Sequence, residues 1–156
     1  SAAASALGGL SSSRLDNALV RQEKLAVQVS AGVQSLAQIG IFQVTMVVRP
    51  GVDAAVASKR LDDLIAEFIK TGPNADELQR VVTTSVSGRI AGLESVGGFG
   101  GKAVALAQGE LYSNDPGFFK KQLAALAAQT PTTVQAAAQK WLTRPVYSLS
   151  VVAGAC

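Results

Sequence analysis

An α+β fold, with a largely antiparallel sheet covered on one face by several helices, is what this sequence predicts, on three observations. The apolar period changes from helical to alternating at Ala26. Two alternating stretches then follow each other across a short loop, the spacing of an antiparallel hairpin. A train of capped helical stripes comes next, closed by one more alternating stretch.

Residues 1–7 are small and Ala-rich and read as a helix end, stopped by Gly8-Gly9, because Gly is favoured just past a helix C-terminus. Ser11, Ser12 or Ser13 caps the next helix, which runs to Glu23 with Leu15 and Leu19 inward. From Ala26 on, Val27, Val29, Ala31 and Val33 alternate with Gln28, Ser30, Gly32 and Gln34, as in a strand with one buried face. After the loop SLAQIG, Phe42, Val44, Met46 and Val48 alternate with Gln43, Thr45 and Val47, and Pro50-Gly51 ends this second strand.

Asp53 caps a helix whose apolar face is Leu61, Leu64, Ile65, Phe68 and Ile69. Thr71-Gly72-Pro73 breaks it. Asn74 caps the following helix, with Glu77 completing a capping box. Its stripe is Leu78, Val81, Val82, Val86, Ile90 and Leu93, and Gly88 and Gly92 within it suggest close approach of another element. Residues 96–101, VGGFGG, are the loosest part of the chain and read as a mobile hinge; a helix over 102–111 follows. Asp115-Pro116 is a cap with a first-turn proline, opening a helix that carries Phe118, Phe119, Leu123 and Leu126. Thr130-Pro131 repeats the device before Val134, Ala137, Ala138, Trp141 and Leu142. Arg144-Pro145 stops that helix, and Tyr147, Leu149 and Val151 alternate with serines in a last strand. No internal repeat is evident.

The length of 156 residues suits one domain over 1–156, and a chain of this size buries roughly two-thirds of its unfolded surface. It is 48% hydrophobic and 16% charged, the composition of a packed domain rather than a disordered one. The 14 Lys and Arg stand against 11 Asp and Glu and are scattered, so no nucleic-acid footprint forms. No apolar run reaches the roughly 18 residues of a membrane helix. The abrupt opening SAAASAL reads as the back half of a helix, so the chain is expected to be an excerpt of a longer protein that lacks the domain's first strands.

Reactive groups are scarce. There is no histidine, which excludes His-based acid–base catalysis, Ser-His-Asp triads and His metal sites within this chain. Cys156 is the one thiol and has no basic neighbour to activate it. Ser11, Ser12 and Ser13 have no base to activate them. Asp62-Asp63 and Asp76-Glu77 are adjacent carboxylates, which on a helix do not face each other; solvation and helix capping account for them. VGGFGGKA fails as a phosphate loop: the spacing is one residue short, Val96 stands where the first Gly is needed and Ala103 has no hydroxyl. Tyr112 and Tyr147 read as packing residues. No motif amounts to an active site.

Gly8-Gly9-Leu10-Ser11-Ser12-Ser13-Arg14-Leu15 resembles the GG-x-x-S-S-R-L run of the insulinase-like, or pitrilysin, zinc metallopeptidases, with one extra residue before Arg-Leu. The order of helix, hairpin and helix train is similar to the non-zinc C-terminal-type domain of a half of such an enzyme. Leu111-Tyr112-Ser113-Asn114-Asp115-Pro116 and the Thr130-Pro131 start of a Trp-ended helix fit as well. The likeness extends over about 7–154.

The resemblance implies a bacterial, chamber-forming, non-catalytic domain of a zinc-dependent peptidase. The zinc belongs to another domain carrying an inverted H-x-x-E-H motif, in the same chain or in a partner subunit. The implied partners are that metal-binding domain and a peptide substrate, and homo-oligomers are compatible with it; many bacterial relatives imply the periplasm or cell envelope. Domains opposite the zinc often carry Leu-Arg-Glu-x-x-Gly-x-x-Tyr, whose Arg and Tyr help bind or polarise substrate. Counted without gaps from Arg14-Leu15, those two places hold Val20 and Val27; Arg21 serves as the substrate contact only with a one-residue slip. The alternatives are a binding or assembly module of the same fold, and a nucleotide-binding domain resting on residues 97–102.

Overall fold

The structure, a computed structural model, describes residues 2–36 and 38–152. A short helix α1 (Ala2–Ala4) continues into a π-helical stretch, Ser5–Gly9, and a turn leads to a second, Asp16–Gln22. Strands β1 (Ala26–Ser35) and β2 (Gly40–Val48) form an antiparallel hairpin. Helices α2 (Ala54–Thr71), α3 (Ala75–Gly92), α4 (Lys102–Ser113), α5 (Phe118–Ala127) and α6 (Pro131–Leu142) follow. The α+β order expected from the sequence is observed as far as α6.

The core lies between β1 and the helices. Leu7, Leu15, Leu19 and Ala26 are wholly buried and meet Phe68 and Leu64 of α2, Leu78 and Val81 of α3, and Val134 and Ala138 of α6. Phe42, Val44 and Met46 add the inner face of β2, partly buried against the same cluster. The tight seating of the first helix on the sheet depends on Gly8. A Cβ there would stand 2.8 Å from both the Cβ and the backbone N of Ala31, closer than real Cβ atoms come. Gly8 and Gly9 therefore do more than stop a helix: they let its backbone rest on β1.

The helix starts follow the expected chemistry. The Asp53 carboxylate accepts the Ala55 N–H at 2.8 Å. Asn74 and Glu77 form the reciprocal box, with both bonds at 2.8 Å. Thr130 and Thr133 form another ahead of α6. The Asp115 carboxylate instead accepts the Gly117 N–H, and α5 begins a turn later than Asp115-Pro116 suggested.

Five expectations need correction. The helix opened by the serines is π-wound over most of its length: the Glu23 N–H donates to the Ala18 carbonyl at 2.8 Å, an i→i−5 bond, and left-handed Lys24 (φ 55°) ends it. No serine hydroxyl caps it; Ser13 is buried and its Oγ has no hydrogen-bond partner. In β1 the register shifts between Ala26 and Gln28, so Val27 is the extra residue of a bulge and is turned outward, 54% exposed, instead of joining Val29 and Ala31 inside. Gly88 faces open space rather than a packed neighbour. Tyr147, Leu149 and Val151 form no strand: residues 145–152 have no ladder partner among the described residues, and a strand exists only through such a partner. Apart from these five, residues 96–101, read as a hinge, lie in a turn with the Lys102 N–H on the Ser95 carbonyl (2.8 Å) and the Ala103 N–H on that of Val96 (3.1 Å).

Candidate functional site

The polar centre of the described chain is built around Arg14, the arginine of the Ser-Ser-Arg-Leu run. Helical winding places it one residue before buried Leu15, so its stem is fixed while its guanidinium reaches the junction of α2 and α3. There Nε and Nη2 donate to the two carboxylate oxygens of Glu77 at 3.3 and 2.9 Å. Nη1 donates to Thr71 Oγ1 at 3.1 Å, and Nη2 also to the Gly72 carbonyl at 3.0 Å. The guanidinium carbon lies 5.1 Å from the centre of the buried Phe68 ring. Both charged side chains are largely out of water, 19% and 12% exposed. Such a forked, desolvated pair is set apart from an exposed ion pair by its geometry and by the cost of unpairing it.

The same Glu77 caps α3 through Asn74, so one carboxylate holds the start of α3 and the end of α2 together. Gly72 turns the chain there with φ 70°, and α6 comes so close that a Cβ at Gly72 would stand 2.8 Å from the Cβ of Gln135. Gln135 Nε2 donates to the Lys70 carbonyl at 2.6 Å, closing the C-terminal end of α2. This arrangement is architectural; it leaves no free base, acid or nucleophile. Sequence reasoning passed over Arg14, although the Arg-Leu pair at a helix start was visible as part of the family run.

Arg21, the one substrate-contact candidate, sits on the exposed side of the second π-helix. Its Nε donates to Asp16 at 2.8 Å and its Nη2 to the Ser11 carbonyl at 2.6 Å. Val20 beside it is half-buried, and Val27 points outward from the bulge. Arg21 and Val27 are thus both on the surface.

The remaining candidates stay apart. Asp63 pairs with Lys59 at 3.1 Å on one face of α2, and Asp62 and Asp76 are solvated. Lys102 is exposed at the start of α4, after a helix and a turn rather than a strand. Tyr112 and Tyr147 are 75% and 89% exposed, so neither is a packing residue here. Cys156 lies outside the described residues. Among the described residues no three His, Cys, Asp or Glu side chains converge as a metal site would need. With no histidine anywhere in the sequence, the donor set does not fit a peptidase zinc centre. No helix is long and apolar enough to cross a membrane. A shallow groove of about 410 Å³ runs between Leu10–Ser12 and the Gln79, Arg80, Thr83 side of α3.

Two ions are tuned by their neighbours. Hydrogen bonds from Arg60 hold the Glu23 carboxyl below its ordinary range, and those from Lys121 do the same for Asp115. Glu23 and Arg60 bond at 2.7 to 3.0 Å and tie the end of the second π-helix to α2.

The described residues thus form a helix-covered antiparallel hairpin with a Gly-Gly seat and an arginine clamp, and no metal-ligand cluster converges among them. Residues 1–85 match the family described as the peptidase M16 inactive domain, and this chain belongs to that family. No curated protein matches it. Among solved structures, a protease from Helicobacter pylori is similar over 90% of this chain, at 20% identity and a TM-score of 0.76. A candidate zinc protease from Bordetella pertussis Tohama I is similar over 92% of this chain and 77% of its own, at 25% identity and a TM-score of 0.71. The inactive peptidase domain of a candidate zinc protease from Bordetella parapertussis gives 90% and 73%, at 24% identity and a TM-score of 0.74. The present chain spans about a third (33%) of the Helicobacter protein.

Proposed function

We propose that this domain is a wall of the chamber of a zinc-dependent peptidase and holds the metal-binding domain in place without entering the chemistry. One observation carries the reading: the chain belongs to an inactive-domain family of peptidases while lacking every ligand type such a zinc needs except scattered carboxylates. The zinc and its activated water are then the business of another domain, in the same chain or a partner subunit. The full-length protein, assayed with its partner subunit where that is separate, should cleave peptides and hold zinc, while the 156-residue chain takes up no stoichiometric zinc and cleaves nothing. Hydrolysis by the isolated chain would overturn the proposal. A full-length protein without zinc or cleavage would assign the domain to binding or assembly instead.

Within this wall we assign Arg21 as the peptide contact. Its guanidinium is exposed, and the π-helix that carries it spends one residue more per hydrogen-bonded turn than an α-helix. An extra residue in the turn is the kind of slip that reading Arg21, rather than Val20, as this contact requires, and it supports the assignment. Arg21→Ala in the full-length enzyme should raise KM with kcat little changed, the signature of lost ground-state binding; an unchanged KM would remove the assignment.

A further inference from the structure

We propose that the groove beside Ser12 and Arg80 binds a carboxylate carried by a peptide. Arg80 stands on the solvent side of α3 and makes no ion pair among the described residues. The carboxylate that borders the groove floor, Glu77, is already held through both oxygens by Arg14 and through one of them by the Asn74 N–H, so it does not compete for Arg80. Ser11, Ser12, Thr83 and Thr84 line the same groove as Arg80, with Leu10 as an apolar flank. Thr83 accepts a bond from Gln79, which leaves its own proton to donate.

A second observation points to the same place. Ser13 lines an adjoining narrow crevice that shares Leu10, Ser12 and Arg80 with the groove; it is only 3% exposed, and its hydroxyl has no partner. Buried hydroxyls are nearly always hydrogen-bonded. The crevice has no room for a water molecule, so solvent does not satisfy this one. Arg80 borders both the groove and this crevice, so a carboxylate held by its guanidinium would sit beside Ser13. One cation and several neutral hydroxyls suit a singly charged, planar acceptor, and the guanidinium fork matches a carboxylate. The source is either a peptide's free C-terminus or an acidic side chain, and neither depends on the chamber reading.

The test is calorimetric titration of the full-length protein with N-acetyl-Ala-Leu, its C-terminal amide, N-acetyl-Asp-amide and inorganic phosphate. The free acid should bind about tenfold more tightly than the amide, the loss expected for one charge-assisted bond pair. Preference for N-acetyl-Asp-amide over N-acetyl-Ala-Leu would name the side chain as the source. Arg80→Gln should abolish the preference for acid over amide without lowering the melting temperature. Ser13→Ala should weaken acid binding while raising the melting temperature, opposite signs that a purely structural serine would not give. Equal affinity for acid and amide, an unchanged acid preference in Arg80→Gln, or tighter binding of phosphate than of either carboxylate would each overturn the proposal.

Discussion

Arg14 shows how much of this domain rests on single side chains. Among the described residues it is the one cation paired at the α2–α3 junction, and its removal strands Glu77 and the Gly72 carbonyl in a largely dry place. Losing one partner of such a pair costs about 3–5 kcal/mol when fully buried, and somewhat less at this exposure. Arg14→Ala is therefore expected to destabilise by roughly 2–4 kcal/mol in denaturant titration. Arg14→Lys should recover only part of that, because an ammonium cannot fork to two oxygens while also reaching Thr71. A loss within experimental error for Arg14→Ala would mean the clamp is ornamental. Gly8→Ala tests a different single-atom constraint: the added Cβ collides with Ala31 backbone, and the helix must lift from β1. The expected result is a lower melting temperature with a loss of about 1–3 kcal/mol, as for other overpacked sites.

At the level of elements, the second π-helix and β1 act as one unit, joined by tertiary bonds. The Leu25 N–H donates to the Leu19 carbonyl at 2.9 Å, and the Leu25 carbonyl accepts the Arg49 N–H at 3.0 Å, closing the base of the hairpin. Glu23 then ties the unit to Arg60 on α2. The Glu23 carboxyl is held below its ordinary value, so its contribution is present above the unfolded pKa of about 4.3 and is lost as pH falls through the lower folded value. Glu23→Gln should accordingly flatten the fall in stability below about pH 4.5 while leaving a small deficit near pH 7. An acid limb identical to that of the parent protein would show that this tie carries no pH dependence.

Over the whole molecule, burial is uneven. The fully buried apolar side chains lie in α1, the two π-helices and the segments beside them, β1, α2, α3 and α6; α5 has none and α4 contributes only Gly109. Ile90, towards the C-terminal end of α3, is already 51% exposed. The α4–α5 pair should therefore open more readily, because it has few buried apolar contacts. Amide hydrogen exchange is expected to be fastest in α4 and α5, slower in the distal half of α3, and slowest at Leu19, β1 and Phe68. Equal protection across all of these elements would mean that the chain opens only as one unit. Val146, Tyr147, Leu149, Val151 and Val152 are 72–90% exposed and add a surface that other chains can cover.

Legibility in the sequence followed the range of the forces involved. Caps at Asp53, Asn74 and Thr130, the stripe Leu61–Leu64–Phe68 and the alternation in β2 are local patterns, and each formed as written because a helix or hairpin satisfies its own backbone within a few residues. The absence of histidine by itself excludes His-dependent chemistry within this chain. Four features were settled only by tertiary contact. The π winding depends on where Leu25 must hand its carbonyl to Arg49, which no hydrophobic period records. The bulge at Val27 shifts one residue out of a regular alternation, because pairing with β2, not side-chain polarity, sets the register there. Arg14 gained its role from Glu77, 63 residues along the chain, and Tyr147 to Val151 stayed unpaired for want of a neighbouring strand. A residue's own chemistry and that of its near neighbours is readable from the chain, whereas a contact across dozens of residues exists only once the fold has brought its two halves together.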